Sequence, residues 1–379
     1  MSGALLTVAG RPTSSATWSG SSRALLEAAR RTGFDLAAAD VSSSLADGLE
    51  TIAALSPDRE RWRQRYHANV TACSPLARRL HTLRARGHVR DRVAREQRDA
   101  VIQVGHWYDL SGSAPIVASY SDASVALQLR RTDLRFDPDS EAARRASAWE
   151  AATARRMDVV LAMSQWQATS FAEDYRVPER RIRVVGQGPN APIPDRVPAR
   201  PSAARRVLFV GKAFARKGGA ELLAAWPSVR ARLPDAELVL VGPQDPGPLP
   251  DGVRCEGRIV RAQPGGEERL AALFADATVL VAPSRFEPFG TALLEGMGWG
   301  LACVGSAACA MPEVIVDGVT GHLAAPGRPD ALADALVAVL RDPRAAVAMG
   351  AAGRRRLEAQ FTWDRVADRI AAALSEGRW

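Results

Sequence analysis

Nine short apolar runs recur along the chain, and each is followed by a segment with the composition of a helix. The runs do not alternate with polar residues, which is typical of parallel strands buried on both faces. Their separation by helical segments predicts repeated βαβ units and therefore an α/β fold. The predicted strands are Leu5–Val8, Ala100–Val104, Ile116–Tyr120, Val159–Met163, Ile182–Val185, Val207–Val210, Leu238–Val241, Val279–Ala282 and Ala302–Val304.

A proline-rich segment separates the first five runs from the last four. Residues 186–204 contain five prolines, too many for a helix or a central strand, and the next strand starts at Val207. A length of 379 residues suits two domains at about 150 residues each. We predict an N-terminal domain over residues 1–190, a linker over 191–204 and a C-terminal domain over 205–360. Residues 361–379 are predicted to form a helix that packs back on the N-terminal domain.

Cysteine usage and hydropathy restrict the class of protein. The four cysteines show no CxxC spacing and no His/Cys cluster has the spacing of metal ligands, which argues against a disulfide framework and a structural zinc. The first ten residues do not have the layout of a signal peptide, and no run approaches the roughly 20 apolar residues of a transmembrane helix. We therefore expect a cytoplasmic protein without a metal site.

Residues 57–98 carry the excess positive charge of the chain. They hold twelve arginines and four acidic residues, a difference of +8 that equals the net charge of the whole sequence. Apolar residues recur there at helical spacing, which predicts a basic amphipathic helix. One interpretation is peripheral binding to the anionic inner face of a membrane or to a lipid acceptor; the other is that the apolar stripe packs on the sheet. The residues of the stripe are Trp62, Tyr66, Val70, Leu76, Leu80 and Leu83.

Lys212 and Lys217 are the only lysines in the chain, and both lie in one loop after a predicted strand. Together with Arg216 they could converge on a diphosphate, helped by amides at the start of the following helix. The Walker pattern GxxxxGK[ST] and the pattern GxGxxG are both absent, which argues against a P-loop ATPase and a nicotinamide enzyme. The alternative is a solvated basic turn.

A second motif follows the predicted strand Val279–Ala282. Glu287 lies in the loop, Phe289, Gly290 and Thr291 open a helix, and Glu295 follows eight residues after Glu287. Each carboxylate can accept two hydroxyl hydrogen bonds, so this spacing suits a ligand with diols on both sides of a phosphate, such as a sugar nucleotide. The alternative is two ordinary surface charges. The acidic residues of this site offer nothing to a nucleic acid, so we expect no nucleic-acid partner.

These two motifs, with Val241-Gly242-Pro243 and with Pro312-Glu313 through Gly321, resemble the retaining GT-B glycosyltransferases of family 4, in group 1. The resemblance implies two Rossmann-like domains facing a central cleft, with the donor held mainly by the C-terminal domain. It implies that Lys212 and Lys217 bind the diphosphate, although the first position is more often arginine. The other implied donor contacts are Arg216 at the diphosphate, Glu287 at the sugar hydroxyls, Glu295 at the ribose, the amides of Phe289, Gly290 and Thr291, and Arg258 and Ile259 at the base.

The N-terminal half matches the family more loosely. Ser19 and Gly20 occupy the place of a glycine loop that approaches the diphosphate and the acceptor, although a plain turn would look the same. Ser121 and Asp122 stand where many members carry a histidine near the donor sugar. His106 could face the cleft, and its alternative is a buried, hydrogen-bonded histidine.

The resemblance implies transfer of a hexosyl group from a UDP- or GDP-sugar to a sugar, lipid or small-molecule hydroxyl, with retention and without a cofactor or metal. The candidate catalytic residues are Lys212, Lys217, Glu287 and Asp122. The sequence Asp137-Pro138-Asp139 predicts a turn and not a metal site. The alternatives are a GT-B sugar-nucleotide epimerase or phosphorylase, or a binding protein without catalysis; hydrolysis of a sugar nucleotide without acceptor would argue against the last.

Overall fold

The computed structural model describes residues 3–14, 17–42, 75–130, 137–199 and 205–377. The chain forms two compact units, one made of Met1–Gly186 with Trp363–Trp379 and the other of Gln187–Thr362. Each unit contains a six-stranded sheet in which the neighbouring strands are parallel and helices connect them. The prediction of an α/β fold is confirmed.

The sheet of the N-terminal unit has the strand order β2-β1-β3-β4-β5-β6. Its strands are β1 Ala4–Val8, β2 Leu36–Asp40, β3 Ala100–Val104, β4 Ile116–Ser121, β5 Val159–Ala162 and β6 Ile182–Val184. The helices are α1 Ser21–Thr32, α2 Pro75–Glu96, α3 Val125–Leu129, α4 Glu141–Ala154 and α5 Gln165–Glu173. The strand order reverses between β1 and β3, and ligands of open α/β sheets bind outside the carboxyl ends of the strands at such a point.

The sheet of the C-terminal unit has the order β12-β11-β10-β7-β8-β9, which is that of a Rossmann fold. Its strands are β7 Arg206–Val210, β8 Glu237–Val241, β9 Val253–Cys255, β10 Val279–Ala282, β11 Ala302–Ser306 and β12 Gly321–Ala324. The helices are α6 Gly219–Arg232, α7 Gly266–Asp276, α8 Thr291–Gly298, α9 Met311–Val314, α10 Pro329–Arg341 and α11 Pro343–Gln360. The order reverses between β7 and β10, directly before the two motif loops.

All nine predicted strands are present, and the three strands that the apolar runs did not predict lie at sheet edges. They are β2, β9 and β12. An edge strand has a neighbour on one side only, so its side chains need not be apolar throughout. The sequence of β2, Leu-Ala-Ala-Ala-Asp, is mostly half-buried and gives no continuous apolar signal.

The last helix, α12, spans Trp363–Ser375 and belongs to the N-terminal unit although it follows the C-terminal unit in the chain. It packs on α1, where Arg31 Nη2 lies 2.6 Å from Asp364 Oδ1. The prediction placed residues 191–204 in a linker, whereas the structure assigns Gln187 onwards to the C-terminal unit. There Arg354 Nη1 donates to the Pro194 carbonyl at 2.9 Å, so this proline-rich segment is bound to α11.

Helix α2 buries a different face from the one that the leucine spacing predicted. Ala77, Ala85 and Val89 are buried, whereas Leu76 and Leu83 are 61% and 60% exposed. The interpretation that this leucine stripe packs on the sheet is therefore wrong for these two residues. The aromatic part of the predicted stripe, Trp62 to Val70, lies outside the described residues. Across the described ranges, no helix has the length and apolar character needed to cross a bilayer.

Candidate functional site

Glycines bring the loops after β7, β8 and β10 close together at the carboxyl edge of the C-terminal sheet. Gly218 has a φ of 76°, and a Cβ added there would lie 1.9 Å from the Pro283 carbonyl oxygen. A Cβ added to Gly242 would lie 2.3 Å from the carbonyl oxygen of Gly211. No other residue type fits these contacts, because backbone atoms of the neighbouring loop occupy the space.

The first ionic cluster joins the two motif loops. The Lys217 ammonium donates to Glu287 Oε2, and Arg216 Nη1 lies 3.7 Å from the same oxygen. Arg216 Nη1 also donates to the Phe286 carbonyl at 2.8 Å, which fixes the guanidinium beside the loop. The side chains of Lys217 and Glu287 are only 19% and 11% exposed, so water screens this pair less than a surface pair. The cluster of two cations and one carboxylate keeps one positive charge.

Lys212 differs from Lys217 in its surroundings. Its side chain is exposed and forms no ion pair with any residue that the structure describes. The structure therefore brings Arg216 and Lys217 together with Glu287, but it gives Lys212 no ionic contact in this cluster. An exposed lysine can still reach a ligand, because its four-carbon stem is flexible.

Helix α8 starts directly behind this cluster. Gly290 precedes its first turn with a φ of 93°, a left-handed conformation that glycine adopts without strain. Phe289 and Gly290 are buried, and Thr291 Oγ1 accepts a hydrogen bond of 2.9 Å from Gln187 Nε2. The first amides of a helix have no partner within the helix, and together with its dipole they attract anions.

A second ionic pair joins α8 to the loop after β9. Arg261 Nη2 lies 2.8 Å from Glu295 Oε2, and Glu295 is only 5% exposed. Burial raises the pKa of Glu295 above its usual value, although the Arg261 charge and hydrogen bond, an amide of Ala191 and the Lys217 charge oppose this shift. A carboxylate kept in such a buried position costs free energy, which is typical of functional sites.

Arg261 was not predicted as a site residue. It lies in the same loop as Arg258 and Ile259. Its positive charge three residues after Arg258 was the only available signal. Arg258 is exposed and Ile259 is half-buried. The amide of Gly242 donates to the Gly257 carbonyl at 2.8 Å, which joins this loop to the loop after β8.

The predicted residues of the N-terminal unit lie at the reversal point of their own sheet. His106, Ser121 and Asp122 line a cavity of about 350 Å³. Ser121 Oγ accepts a hydrogen bond of 2.7 Å from Gln167 Nε2. Gly20 is buried and precedes α1 with a φ of 90°, as a glycine turn requires, and the side chain of Ser19 is outside the described set.

His106 is buried, but neither of its ring nitrogens makes a hydrogen bond with a residue that the structure describes. Its Nδ1 lies 3.1 Å from Oε1 of Glu150, at an angle that does not form a hydrogen bond. The alternative of a buried histidine is therefore confirmed for its burial but not for its hydrogen bonds. Glu150 lies in α4, 44 residues after His106, and the sequence did not predict this contact.

Within the described ranges, no group of three or more His, Cys, Asp or Glu side chains is arranged to hold a metal ion. Asp137 and Asp139 are exposed, and the amide of Asp139 donates to Asp137 Oδ1 at 2.8 Å. This contact is that of a local turn.

Residues 204–342 match the family model described as "Glycosyl transferases group 1". The matched range contains both motif loops, both ionic pairs and helix α8. This C-terminal part of the chain is similar to the group 1 glycosyl transferases.

Two solved structures and one curated relative illustrate the similarity. The chain is 35% identical over 187 residues to the alpha-maltose-1-phosphate synthase of Mycobacterium tuberculosis, which covers 45% of this chain and 46% of that protein. The chain thus spans about half the length of this relative. Sucrose-phosphate synthase from Thermosynechococcus elongatus superposes with a TM-score of 0.68 at 21% identity, over 98% of both chains. The Anabaena protein HepE, solved in complex with UDP and glucose, gives a TM-score of 0.64 at 16% identity, over 98% of this chain and 99% of that one. The GT-B fold is confirmed.

Proposed function

We propose that this chain transfers a hexosyl group from a nucleoside diphosphate sugar, UDP- or GDP-linked, to an acceptor hydroxyl, with retention of configuration and without a metal, as in family 4. The observation that carries the proposal is the arrangement around α8. Glu287 lies in the loop before the N-terminus of this helix, and Glu295 lies within the helix. Each carboxylate contacts a cation. A sugar nucleotide presents sugar hydroxyls, then a diphosphate, then ribose hydroxyls. This order matches that of Glu287, the cations with the helix N-terminus, and Glu295.

The cationic groups suit the charge that develops during transfer. As the bond between the anomeric carbon and the phosphate oxygen breaks, negative charge grows on the leaving diphosphate. Lys217 and Arg216, with the helix amides and the mobile charge of Lys212, would stabilise that charge, and such preorganised groups lower the barrier. A phosphate that takes Lys217 as its partner would leave Glu287 free to accept hydroxyls of the donor sugar. The complex of HepE with UDP and glucose supports a donor of this class.

Retention is proposed to follow from attack on the face that the diphosphate leaves. The acceptor oxygen bonds to the anomeric carbon, the bond to the phosphate oxygen breaks, and the acceptor proton passes to that phosphate oxygen. This route needs no protein nucleophile. Asp122 remains a candidate for assisting at the acceptor side, because it lines the N-terminal cavity.

The first test measures the anomeric configuration of the product and the dependence of the reaction on a metal ion. UDP- and GDP-hexoses with an α-linkage are incubated with simple sugars, cyclitols and lipid acceptors, and proton NMR follows the anomeric signal of the product. We expect an α-linked product at the same rate with and without excess EDTA, since cationic side chains replace the metal. A β-linked product would contradict retention, and loss on chelation that magnesium or manganese restores would contradict metal independence. A released epimer of the sugar would support the epimerase instead.

Acylation of amines tests the phosphate site, because the chain has only two lysines. We expect an amine-selective ester to modify Lys212 faster than Lys217, since Lys212 is exposed and Lys217 is paired with Glu287. Modification should inactivate the enzyme, and a saturating nucleoside diphosphate should protect both lysines in peptide maps. Equal labelling with and without nucleotide, at full activity, would show that neither lysine contacts phosphate.

We infer that the chain works in the cytoplasm and associates with anionic membranes through α2. Exposed Leu76 and Leu83 and the exposed cation Arg79 lie on this helix, and such a surface suits acidic lipids. In liposome flotation at low salt, we expect the protein to rise with anionic vesicles and not with neutral ones. The L76S/L83S variant should lose this binding, whereas V347S, which changes an equally exposed valine on α11, should retain it. Flotation that is equal for both lipid compositions would end the membrane proposal.

A further inference from the structure

A further ion pair joins the two motif loops beside the cluster of Arg216, Lys217 and Glu287. Nε and Nη2 of Arg285, in the loop after β10, both contact Oε1 of Glu221 in the first turn of α6. Neither residue belongs to the cluster itself. Arg285 lies two residues before Glu287, so the pair holds the segment of chain that carries this carboxylate.

The Glu221 carboxylate is buried, whereas Arg285 reaches solvent. Their side chains are 8% and 50% exposed, and Glu221 Oε2 has no hydrogen bond with any residue that the structure describes. The first turn of a helix attracts a carboxylate, but a buried carboxylate with one unsatisfied oxygen still costs free energy. Apolar side chains of similar size would pack there without that cost, so stability alone does not explain the pair.

The segment between β10 and α8 has no regular secondary structure, so contacts with neighbouring segments determine its conformation. The amide of Arg285 donates to the Arg216 carbonyl at 3.3 Å, and Arg216 Nη1 donates to the Phe286 carbonyl at 2.8 Å. The pair with Glu221 adds a contact on the side chain of Arg285. Three consecutive residues, of which Glu287 is the last, are thus tied to the loop after β7 and the helix that follows it.

We propose that Glu221 is a positioning residue that, through Arg285, holds Glu287 where one donor molecule can contact both Glu287 and Lys217. Glu221 itself touches neither the sugar nor the diphosphate. Its effect on donor binding rests on the proposed function, in which Lys217 binds the diphosphate and Glu287 binds the sugar. Its effect on the contact between Lys217 and Glu287 does not depend on any ligand and can be measured alone.

The first experiment measures the Lys217 contact in the ligand-free protein by acylation with an amine-selective ester. Peptide maps give the ratio of acylation at Lys217 to acylation at Lys212, so the exposed Lys212 serves as the reference within each molecule. Contact with Glu287 and partial burial hinder the reaction of Lys217. We expect E221Q to raise the ratio at least about twofold, the lower end of the coupling between residues of one ion-pair network.

The second experiment separates positioning from a general loss of structure. Calorimetry measures the affinities for UDP and UDP-glucose, and for GDP and GDP-mannose. We expect E221Q and R285Q each to weaken binding of the sugar nucleotide about three- to tenfold more than binding of the diphosphate, because Glu287 contacts only the sugar. E221M/R285M should show the same loss, although its unfolding midpoint should equal or exceed that of the wild type. The control E237Q, which removes a carboxylate paired with Arg206 at the amino edge of the same sheet, should change neither the acylation ratio nor the affinities.

An unchanged acylation ratio in E221Q, or an equal loss of affinity for the sugar nucleotide and the diphosphate, would overturn the inference. A much larger loss in R285Q than in E221Q would also overturn it, since Arg285 would then contact the donor directly. If E221Q does not fold, E221M/R285M provides both measurements. A wild-type protein that binds no nucleotide would contradict the proposed function, and the acylation ratio would then decide this inference by itself. Donor binding by the wild type together with an unchanged ratio in E221Q would contradict this inference alone.

Discussion

Replacing Lys217 with alanine is expected to lower kcat at least about a hundredfold while the protein stays folded. Lys217 is the cation that contacts Glu287 between the two motif loops, where the diphosphate is proposed to lie. Loss of one preorganised donor to a developing negative charge costs about 10²–10³ in kcat. Transfer rates at saturating donor, together with the thermal unfolding midpoint, measure the two parts of this expectation.

Two further variants show whether the charge or its position matters. Lys217→Arg keeps the charge on a planar group, so we expect partial activity, since the two cations are not interchangeable at a constrained site. Arg232→Ala removes an exposed cation that pairs with Asp334 on another helix, and a surface pair of this kind contributes little. Its activity should match the wild type. Near wild-type turnover in a folded Lys217→Ala variant would remove this loop from the donor site.

Local sequence was sufficient to predict the elements that position the candidate donor residues. The central strands are buried on both faces, so apolar runs such as Val279–Ala282 identified them without ambiguity. Motif residues that are close in sequence, such as Glu287 in the loop before α8 and Glu295 in α8, could be placed for a similar reason, because the loop leads directly into the helix. The edge strand β9 gave no such signal, because none of its three residues is fully buried.

Contacts between distant segments could not be predicted in this way. Arg261 and Glu295 are 34 residues apart, and their pairing depends on how the loop after β9 folds against α8. His106 and Glu150 similarly meet because α4 packs beside the end of β3. On α2, Ala77, Ala85 and Val89 are buried while Leu76 and Leu83 are exposed, so the leucine spacing does not identify the face that packs within the domain.

Glu295→Gln is expected to reduce kcat/KM about 10- to 100-fold and to raise the stability of the protein at neutral pH. Hydrogen bonds to a charged group contribute about 1.5–3 kcal/mol, and Gln keeps the shape of Glu but accepts ribose hydroxyls more weakly. The gain in stability follows from burial, which raises the pKa of Glu295 despite the Arg261 contact. If Glu295 binds the ribose as proposed, its replacement should lower activity and raise stability together.

The direction in which stability changes with pH shows whether the gain in stability comes from removal of the buried Glu295 carboxylate or from a general change in packing. Because the folded state holds the Glu295 proton more tightly than the unfolded state, wild-type stability falls as pH rises from the ordinary carboxyl value of 4.5 through the raised pKa. The glutamine variant lacks this loss. Its advantage in unfolding free energy should be absent at pH 4 and below, grow through the raised pKa and then stay constant. Glu376→Gln, which changes an exposed carboxylate near Arg183, should not show this growth in advantage. A Glu295→Gln protein that is less stable than the wild type at pH 7.5 would mean that the Arg261 pair outweighs the cost of burial.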